Sequence, residues 1–249
     1  MSFHISIITV TYNCCTTISK TLESVRKIKE EFGPDRVQHV VIDGASSDST
    51  VEIVQSTNVT DLLISEADSG LYNAYNKGLD ASSGNFVTFL NGDDYFLDGF
   101  IEILEYSLSA EENVLIASNN SIISSGEQVV GVKHSRIEGI YRDMSICFPG
   151  LIMPRKSIGK LRFDESMKIS ADYKFLLELL RFNMNVEILR VNSVAFRLGG
   201  VSTLFKNELL RLRENEKARR NLPFNVRMTS LVRDYTFVLS KKCVKWLIS

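Results

Sequence analysis

The sequence predicts an α/β fold: a mixed, mostly parallel sheet followed by a helical C-terminal extension. Three patterns predict it. Apolar, β-branched runs recur through residues 1–100, each run empties into Thr, Asn, Gly or Asp, and segments of helical periodicity separate them. Short buried strands alternating with amphipathic helices build parallel βα units, which place the C-terminal ends of the strands on one edge of the sheet.

The elements follow in order. Ile5–Val10 is the first apolar strand and exits at Thr11-Tyr12-Asn13. Over Thr17–Phe32, Ile18, Leu22, Val25 and Ile28 recur at helical spacing. A second strand, Val37–Ile42, ends in Asp43-Gly44-Ala45-Ser46-Ser47-Asp48, and Asp48 or Ser49 is placed to cap a short helix over Thr50–Ser56. Leu62–Ser65 adds a short strand and Leu71–Ala81 a helix. Phe86–Leu90 then runs into Asn91-Gly92-Asp93-Asp94. In a parallel sheet, Thr11, Tyr12, Asp43, Asp93 and Asp94 converge on one edge although they are far apart in the chain. Adjacent carboxylates at such an edge are hard oxygen ligands suited to a metal-dependent phosphate site. A plain polar turn is the alternative reading of the same residues.

With 249 residues, 44% of them hydrophobic, the chain can bury one sizeable core. It has no run of about 18 apolar residues, and the first residues lack the charged and apolar regions of a signal peptide, so the expected location is the cytoplasm. Cys14, Cys15, Cys147 and Cys243 lack zinc-ligand spacing and read as free thiols, and His4, His39 and His134 stand apart from the polar exits. The net charge is −1, but residues 206–245 are strongly basic, with Arg219, Arg220, Lys241, Lys242 and Lys245 interleaved with apolar residues. Such a tail either lies on an anionic membrane surface or packs on the body, with Pro223 dividing it into two helices. No recognition motif for nucleic acid accompanies the charge.

Four motifs taken together, SIITVTYN at Ser6–Asn13, VIDGASSDST at Val41–Thr50, SEADSGLYNAYNKG at Ser65–Gly78 and FLNGDD at Phe89–Asp94, resemble the family 2 glycosyltransferases, specifically the small bacterial enzymes of O-antigen and exopolysaccharide synthesis. The resemblance spans about residues 4 to 205 and thins after Asp94. It implies a GT-A fold: a Rossmann-like nucleotide-sugar half over 1–100, an acceptor half over 101–205, and a basic helical tail over 206–249. It also implies a metal-dependent, inverting hexosyl transfer from a nucleotide-diphospho-sugar, UDP-linked, to a lipid-linked saccharide. The Gln-x-x-Arg-Trp motif of processive synthases is absent, which implies one sugar added per acceptor.

By the same resemblance, Asp94 is the ligand of Mn²⁺ or Mg²⁺, Asp93 contacts ribose or donor-sugar hydroxyls, and Asn91 fills the first position of a DxD-type signature. Asp43 reads the base edge, with Thr11 and Tyr12 forming part of the base slot. Asp68 and Lys77 belong to a donor-site loop and helix; Lys77 either approaches the diphosphate or is a surface lysine at a helix end. Asp172 stands where the family places its base, at the start of a helix whose buried face is Phe175, Leu176, Leu179 and Leu180. A first-turn acid stabilised by the helix dipole is the structural alternative. Gly199-Gly200-Val201-Ser202, after the strand Val194–Phe196, resembles a further signature near the acceptor. The chain departs from the family at Ala67, at Asn73, where Asp is frequent, and at Phe148-Pro149, where His-Gln occurs. Two rivals remain. A nucleotide-sugar-binding protein without turnover is one; a sugar-phosphate nucleotidyltransferase is the weaker, because TYNCCTT stands where its glycine-rich loop belongs.

Overall fold

The structure is a computed structural model and describes residues 3–199, 207–234 and 236. The first half follows the predicted order: β1 (Ile5–Thr11), α1 (Ile18–Phe32), β2 (Val37–Asp43), α2 (Thr50–Ser56), β3 (Leu62–Ser65), α3 (Leu71–Ala81) and β4 (Phe86–Asn91). The second half contains β5 (Tyr95–Phe96), α4 (Gly99–Ser107), β6 (Val114–Ile123), β7 (Val129–Lys133), β8 (Met153–Pro154), α5 (Arg155–Ile158), α6 (Ala171–Leu180), β9 (Asn185–Arg197) and α7 (Glu208–Ala218).

One sheet has the order β3-β2-β1-β4-β8, parallel except for β8 on β4. Every residue of β1 and β2 is buried, because helices cover both faces of a parallel sheet and leave no polar side to the strand. The register pairs Thr11 with Asp43, Asp43 with Ser65, and Val10 with Asn91, so these strand ends share one edge. Helix α3 lies tight against that sheet: a Cβ at Gly78 would fall 2.3 Å from Ile8 Cγ2, so any side chain there displaces the helix. Between the sheet and the second half, Phe89, Tyr75, Phe148, Phe163 and Phe175 form one aromatic cluster; the Phe163 and Phe175 rings stack at 4.1 Å. Such pairs contribute about 0.5–1.5 kcal/mol each beyond their buried area.

A second sheet, β5-β9-β6-β7, forms the other half. The sequence signals only its strongest piece, Val194–Phe196. β9 is in fact 13 residues long, and most of it alternates between exposed and half-buried positions. β6 carries Ser118, Asn119, Asn120 and Ser121 in buried positions, and the side chains of the first three bond across strands and loops, with Ser118 facing Ser193. Pairing of Tyr95 with Ala195 and of Phe96 with Val194 ties the carboxylate loop after β4 to this sheet.

The tail differs in part from the expectation. Pro223 does separate α7 from a second helical stretch, 224–234. Arg219, expected among the surface cations, is instead 2% exposed. Its guanidinium donates to Asp234 Oδ2 at 2.6 Å, Arg142 O at 2.6 Å and Asn215 O at 3.0 Å, binding the two stretches to the body. An unpaired guanidinium could not be buried in this way. Lys241, Lys242, Lys245, Cys243 and Gly200–Ser202 lie outside the described residues. Cys14, Cys15 and Cys147 are free thiols, and no helix of the described residues is long and apolar enough to cross a membrane.

Candidate active site

The ends of β1 and β2 form one wall. Asp43 is fully buried: its Oδ2 accepts the Ser46 N–H at 2.9 Å and the Ser65 hydroxyl at 2.7 Å, and its Oδ1 accepts the Ser46 hydroxyl at 2.5 Å. About one of its four acceptor positions stays open, so the carboxylate serves chiefly as the anchor of the 43–46 turn. Thr11 is buried beside it with no partner for its hydroxyl. Tyr12 is 62% exposed. Asp68 and Tyr12 close tightly on Gly44, where a Cβ would meet Asp68 Oδ2 at 2.7 Å and Tyr12 Cδ2 at 3.4 Å. Thus Thr11, Tyr12, Asp43 and Asp68 come together around Gly44. Asp68 Oδ1 accepts the Gly70 N–H at 2.9 Å, which fixes the loop before α3. Lys77 turns the other way, pairing with Glu66 at 2.8 Å and donating to Ala67 O at 3.0 Å, and so straps this loop to α3. Asp48 caps α2 as expected. Its Oδ1 accepts the Thr50 N–H at 3.0 Å and its Oδ2 the Cys15 N–H at 3.1 Å, and the bond from the Thr50 hydroxyl is the main cause of a pKa lowered to about 2.

The loop after β4 forms the floor. Thr17 and Thr21, on the first turns around α1, donate to Gly92 O at 3.0 and 3.1 Å, and Thr21 also donates to Asp94 O at 2.6 Å. Asp94 is 1% exposed. Its Oδ1 accepts the Arg197 N–H at 2.8 Å and its Oδ2 the Asn91 amide at 3.2 Å. Asp93 is half-buried and has no side-chain partner among the described residues, so it presents the more open carboxylate of the pair. Burial, and then the neighbouring Asp93, pushes Asp94 well above the usual carboxylate range; burial also raises Asp93, and Arg197 opposes it. Two carboxylates raised by burial, one raised further by its neighbour, are a donor set that a hard divalent cation would relieve. No group of three or more metal-ligating side chains occurs among the described residues. The remaining ligands would therefore have to come from phosphate oxygens and water, as suits Mg²⁺ or Mn²⁺ held by one or two carboxylates. The residues fit a metal shared with a diphosphate.

Asp172 forms the third side. It lies in the first turn of α6, half-buried, accepting the Tyr173 N–H at 2.8 Å and the Tyr72 hydroxyl at 3.3 Å on Oδ1. Burial raises its pKa, and hydrogen bonds and the Lys133 charge act against the rise. One turn along α3 from Tyr72, the Tyr75 hydroxyl donates to Asn91 Oδ1 at 2.8 Å. Burial and then the charges of Asp172, Asp94 and Asp93 push the Tyr75 phenol up. Two tyrosines of one helix therefore join Asp172 to the Asp93-Asp94 loop.

Sequence reasoning missed four residues. Tyr72 and Tyr75 read as core aromatics at helical spacing, although their polar tips were a usable signal. Arg197, bonded through its backbone N–H to Asp94 and through Nε to Asp93 O at 3.0 Å, lay just beyond the recognised strand. Glu214 gave no signal at all: from α7 it accepts the backbone N–H groups of Lys168, Ile169 and Ser170 at 2.7, 2.8 and 2.9 Å, capping the helix that carries Asp172. At the family departures, Asn73 donates to Glu165 Oε2 at 3.0 Å, and Phe148 packs into the aromatic cluster.

Residues 6–162, more than half of the chain, match the family model described as Glycosyl transferase family 2. The sequence is 25% identical over 215 residues, 83% of each chain, to the Escherichia coli UDP-Glc:alpha-D-GlcNAc-diphosphoundecaprenol beta-1,3-glucosyltransferase WfaP. It is also 33% identical over 93 residues to an uncharacterized glycosyltransferase of Mycobacterium tuberculosis, a match that covers 37% of this chain and 34% of the relative. The chain thus spans about a third of that relative's length. Among solved structures, S. aureus TarS 1-349 in complex with UDP-GlcNAc is similar at a TM-score of 0.70 and 19% identity, over 94% of this chain and 72% of that one. At this identity the likeness is one of fold, and it bears out the α/β GT-A architecture.

Proposed function

The chain belongs to glycosyl transferase family 2, and on that premise we propose that it moves one hexose, with inversion, from a UDP-sugar to a lipid-linked saccharide in bacterial surface-polysaccharide synthesis. The observation that carries this reading is the meeting of Asp172 with Asp93 and Asp94 across Tyr72 and Tyr75 of α3. The similarity to an enzyme named for a diphosphoundecaprenol acceptor supports the acceptor class, and the fold shared with a UDP-GlcNAc complex supports the nucleotide.

In this mechanism the exposed ring of Tyr12 receives the base, while Thr11, the remaining acceptor position of Asp43, and Asp68 meet its edge and the ribose. Asp93 and Asp94 would hold Mn²⁺ or Mg²⁺, which would supply neutralisation of the charge developing on the leaving diphosphate. Asp172 takes the proton from the attacking acceptor hydroxyl. A carboxylate made more basic by burial suits that step, and Tyr72 holds its Oδ1 in place. A single carboxylate acting as base, with no covalent sugar intermediate, produces inversion. Lys77, strapped to Glu66, has no part in the chemistry. We place the enzyme at the cytoplasmic face of a membrane, held there by the exposed cations of the tail.

The test is a thermal-shift panel of UDP, GDP and dTDP with Mn²⁺ or EDTA. A ligand that binds only the folded state raises its stability by mass action. UDP with Mn²⁺ is expected to stabilise the wild type most, and Asp93→Ala and Asp94→Ala should each abolish the metal-dependent part. Equal UDP stabilisation in Mn²⁺ and EDTA would remove the metal from the reading. In the same preparation, co-sedimentation with anionic vesicles should be lost at high salt; equal sedimentation with neutral vesicles would remove the membrane contact.

A further inference from the structure

Segment 129–141, which includes the edge strand β7 of the second sheet, exposes apolar and cationic side chains side by side. Val129 is 65% exposed, Val130 56%, Ile137 51% and Tyr141 46%. Lys133 and Arg136 are exposed among them and form no ion pair or side-chain hydrogen bond with the described residues; Glu138 is the one acidic side chain in the segment.

The backbone register puts Lys133 on the face of Asn120 and Ile122, whereas Val132 and Val129, across from Ser121 and Ile123, take the opposite face. Lys133 stands directly across from Asn120, and cross-strand partners project from the same face of a sheet. On that face the Asn120 amide donates to Pro149 O at 3.3 Å, next to Phe148, whose ring stacks on Tyr75 with centroids 6.3 Å apart. Asn120 is 2% exposed, and its Oδ1 has no partner, so a buried acceptor is left open beside the site. The thiol of Cys147 donates to Lys133 O at 3.3 Å and fixes the strand end there. The Lys133 ammonium is also among the charges that favour ionised Asp172.

We propose that segment 133–141 is the subsite for the lipid-diphosphate end of the acceptor, with Lys133 and Arg136 pairing with the diphosphate and Ile137 and Tyr141 covering the first apolar units of the lipid. The occupant is chosen by chemistry: a dianionic group joined to an apolar chain matches cations bordered by exposed apolar side chains. The inference rests on the transferase reading and adds to it the group that the acceptor half recognises.

The test is calorimetric titration of the full chain, with UDP and Mg²⁺ present, by farnesyl diphosphate, farnesol and inorganic diphosphate. Farnesyl diphosphate should bind the wild type more tightly than either fragment. The double variant Lys133→Gln, Arg136→Gln should weaken that binding by about tenfold or more, the scale of lost charge-assisted contacts, and leave UDP affinity unchanged. Equal farnesyl diphosphate affinity in the two proteins, or competition between farnesyl diphosphate and UDP, would overturn the subsite. So would loss of phosphatidylglycerol-vesicle binding by the variant with farnesyl diphosphate binding intact, which would assign the cations to the membrane. UDP titration alone reads the other half: a wild type that binds farnesyl diphosphate and no nucleotide keeps the subsite and loses the transferase reading.

Discussion

The Tyr75 hydroxyl, buried in an aromatic cluster, does its work through one hydrogen bond. By donating to Asn91 Oδ1 it fixes which end of that amide faces Asp94, and Asn91 Nδ2 then donates to Asp94 Oδ2. Tyr75→Phe keeps the ring, which stacks on Phe89 at 4.4 Å, and removes only this bond. A neutral buried hydrogen bond contributes about 1 kcal/mol, so we expect a stable fold and a UDP-Mn²⁺ affinity lowered by roughly fivefold. Unchanged affinity would show that Asn91 needs no such support. The two kinds of residue in this relay were unequally visible. Asp93 and Asp94 stand out in the sequence as paired carboxylates closing an apolar strand, and Asp172 through the family resemblance. Tyr75 does not, because an aromatic at helical spacing is what a core needs, and only its distance to Asn91 reveals the second role.

At the scale of elements, the position of Asp172 depends on α7. Glu214 accepts three successive backbone N–H groups just before and at the N-cap of α6, where the helix dipole also favours negative charge. The stretch that reads as a detachable basic tail therefore begins with a helix that completes the acceptor half, and the Arg219–Asp234 pair extends the attachment to 224–234. Glu214→Gln keeps the shape but weakens the charge-assisted bonds. A loss of about 1–3 kcal/mol of unfolding free energy is expected, measured by urea titration, together with a fall in kcat for transfer that exceeds any change in UDP affinity. Equal loss of UDP affinity and kcat would mean that the substitution loosens the whole body. β1, β2 and β4 were legible because they are buried on both faces and therefore almost continuously apolar. β6 was not, since its buried Ser118, Asn119 and Asn120 bond to Ser193, Ser135 and Pro149 and erase the apolar pattern that marks a strand, and most of β9 was not, since it is exposed or half-buried.

Across the whole molecule, the bridge between Ile116 and Ile152 joins the two sheets, and the candidate site draws on both halves. The first sheet contributes Thr11, Asp43 and the Asp93-Asp94 loop; the second half contributes Asp172, and β5 on β9 holds the loop in register. The division of labour we propose for this layout assigns the donor to the carboxylates at the β4 exit and the acceptor to Asp172. Rapid-quench transfer by Asp172→Asn, with a short-chain GlcNAc-diphospho-lipid as acceptor and UDP affinity titrated in parallel, tests that division most directly. We expect UDP-Mn²⁺ affinity close to wild type and transfer slowed by at least about a hundredfold, the scale of general-base catalysis. Transfer near the wild-type rate, or a loss of UDP affinity that matches the loss of transfer, would contradict it.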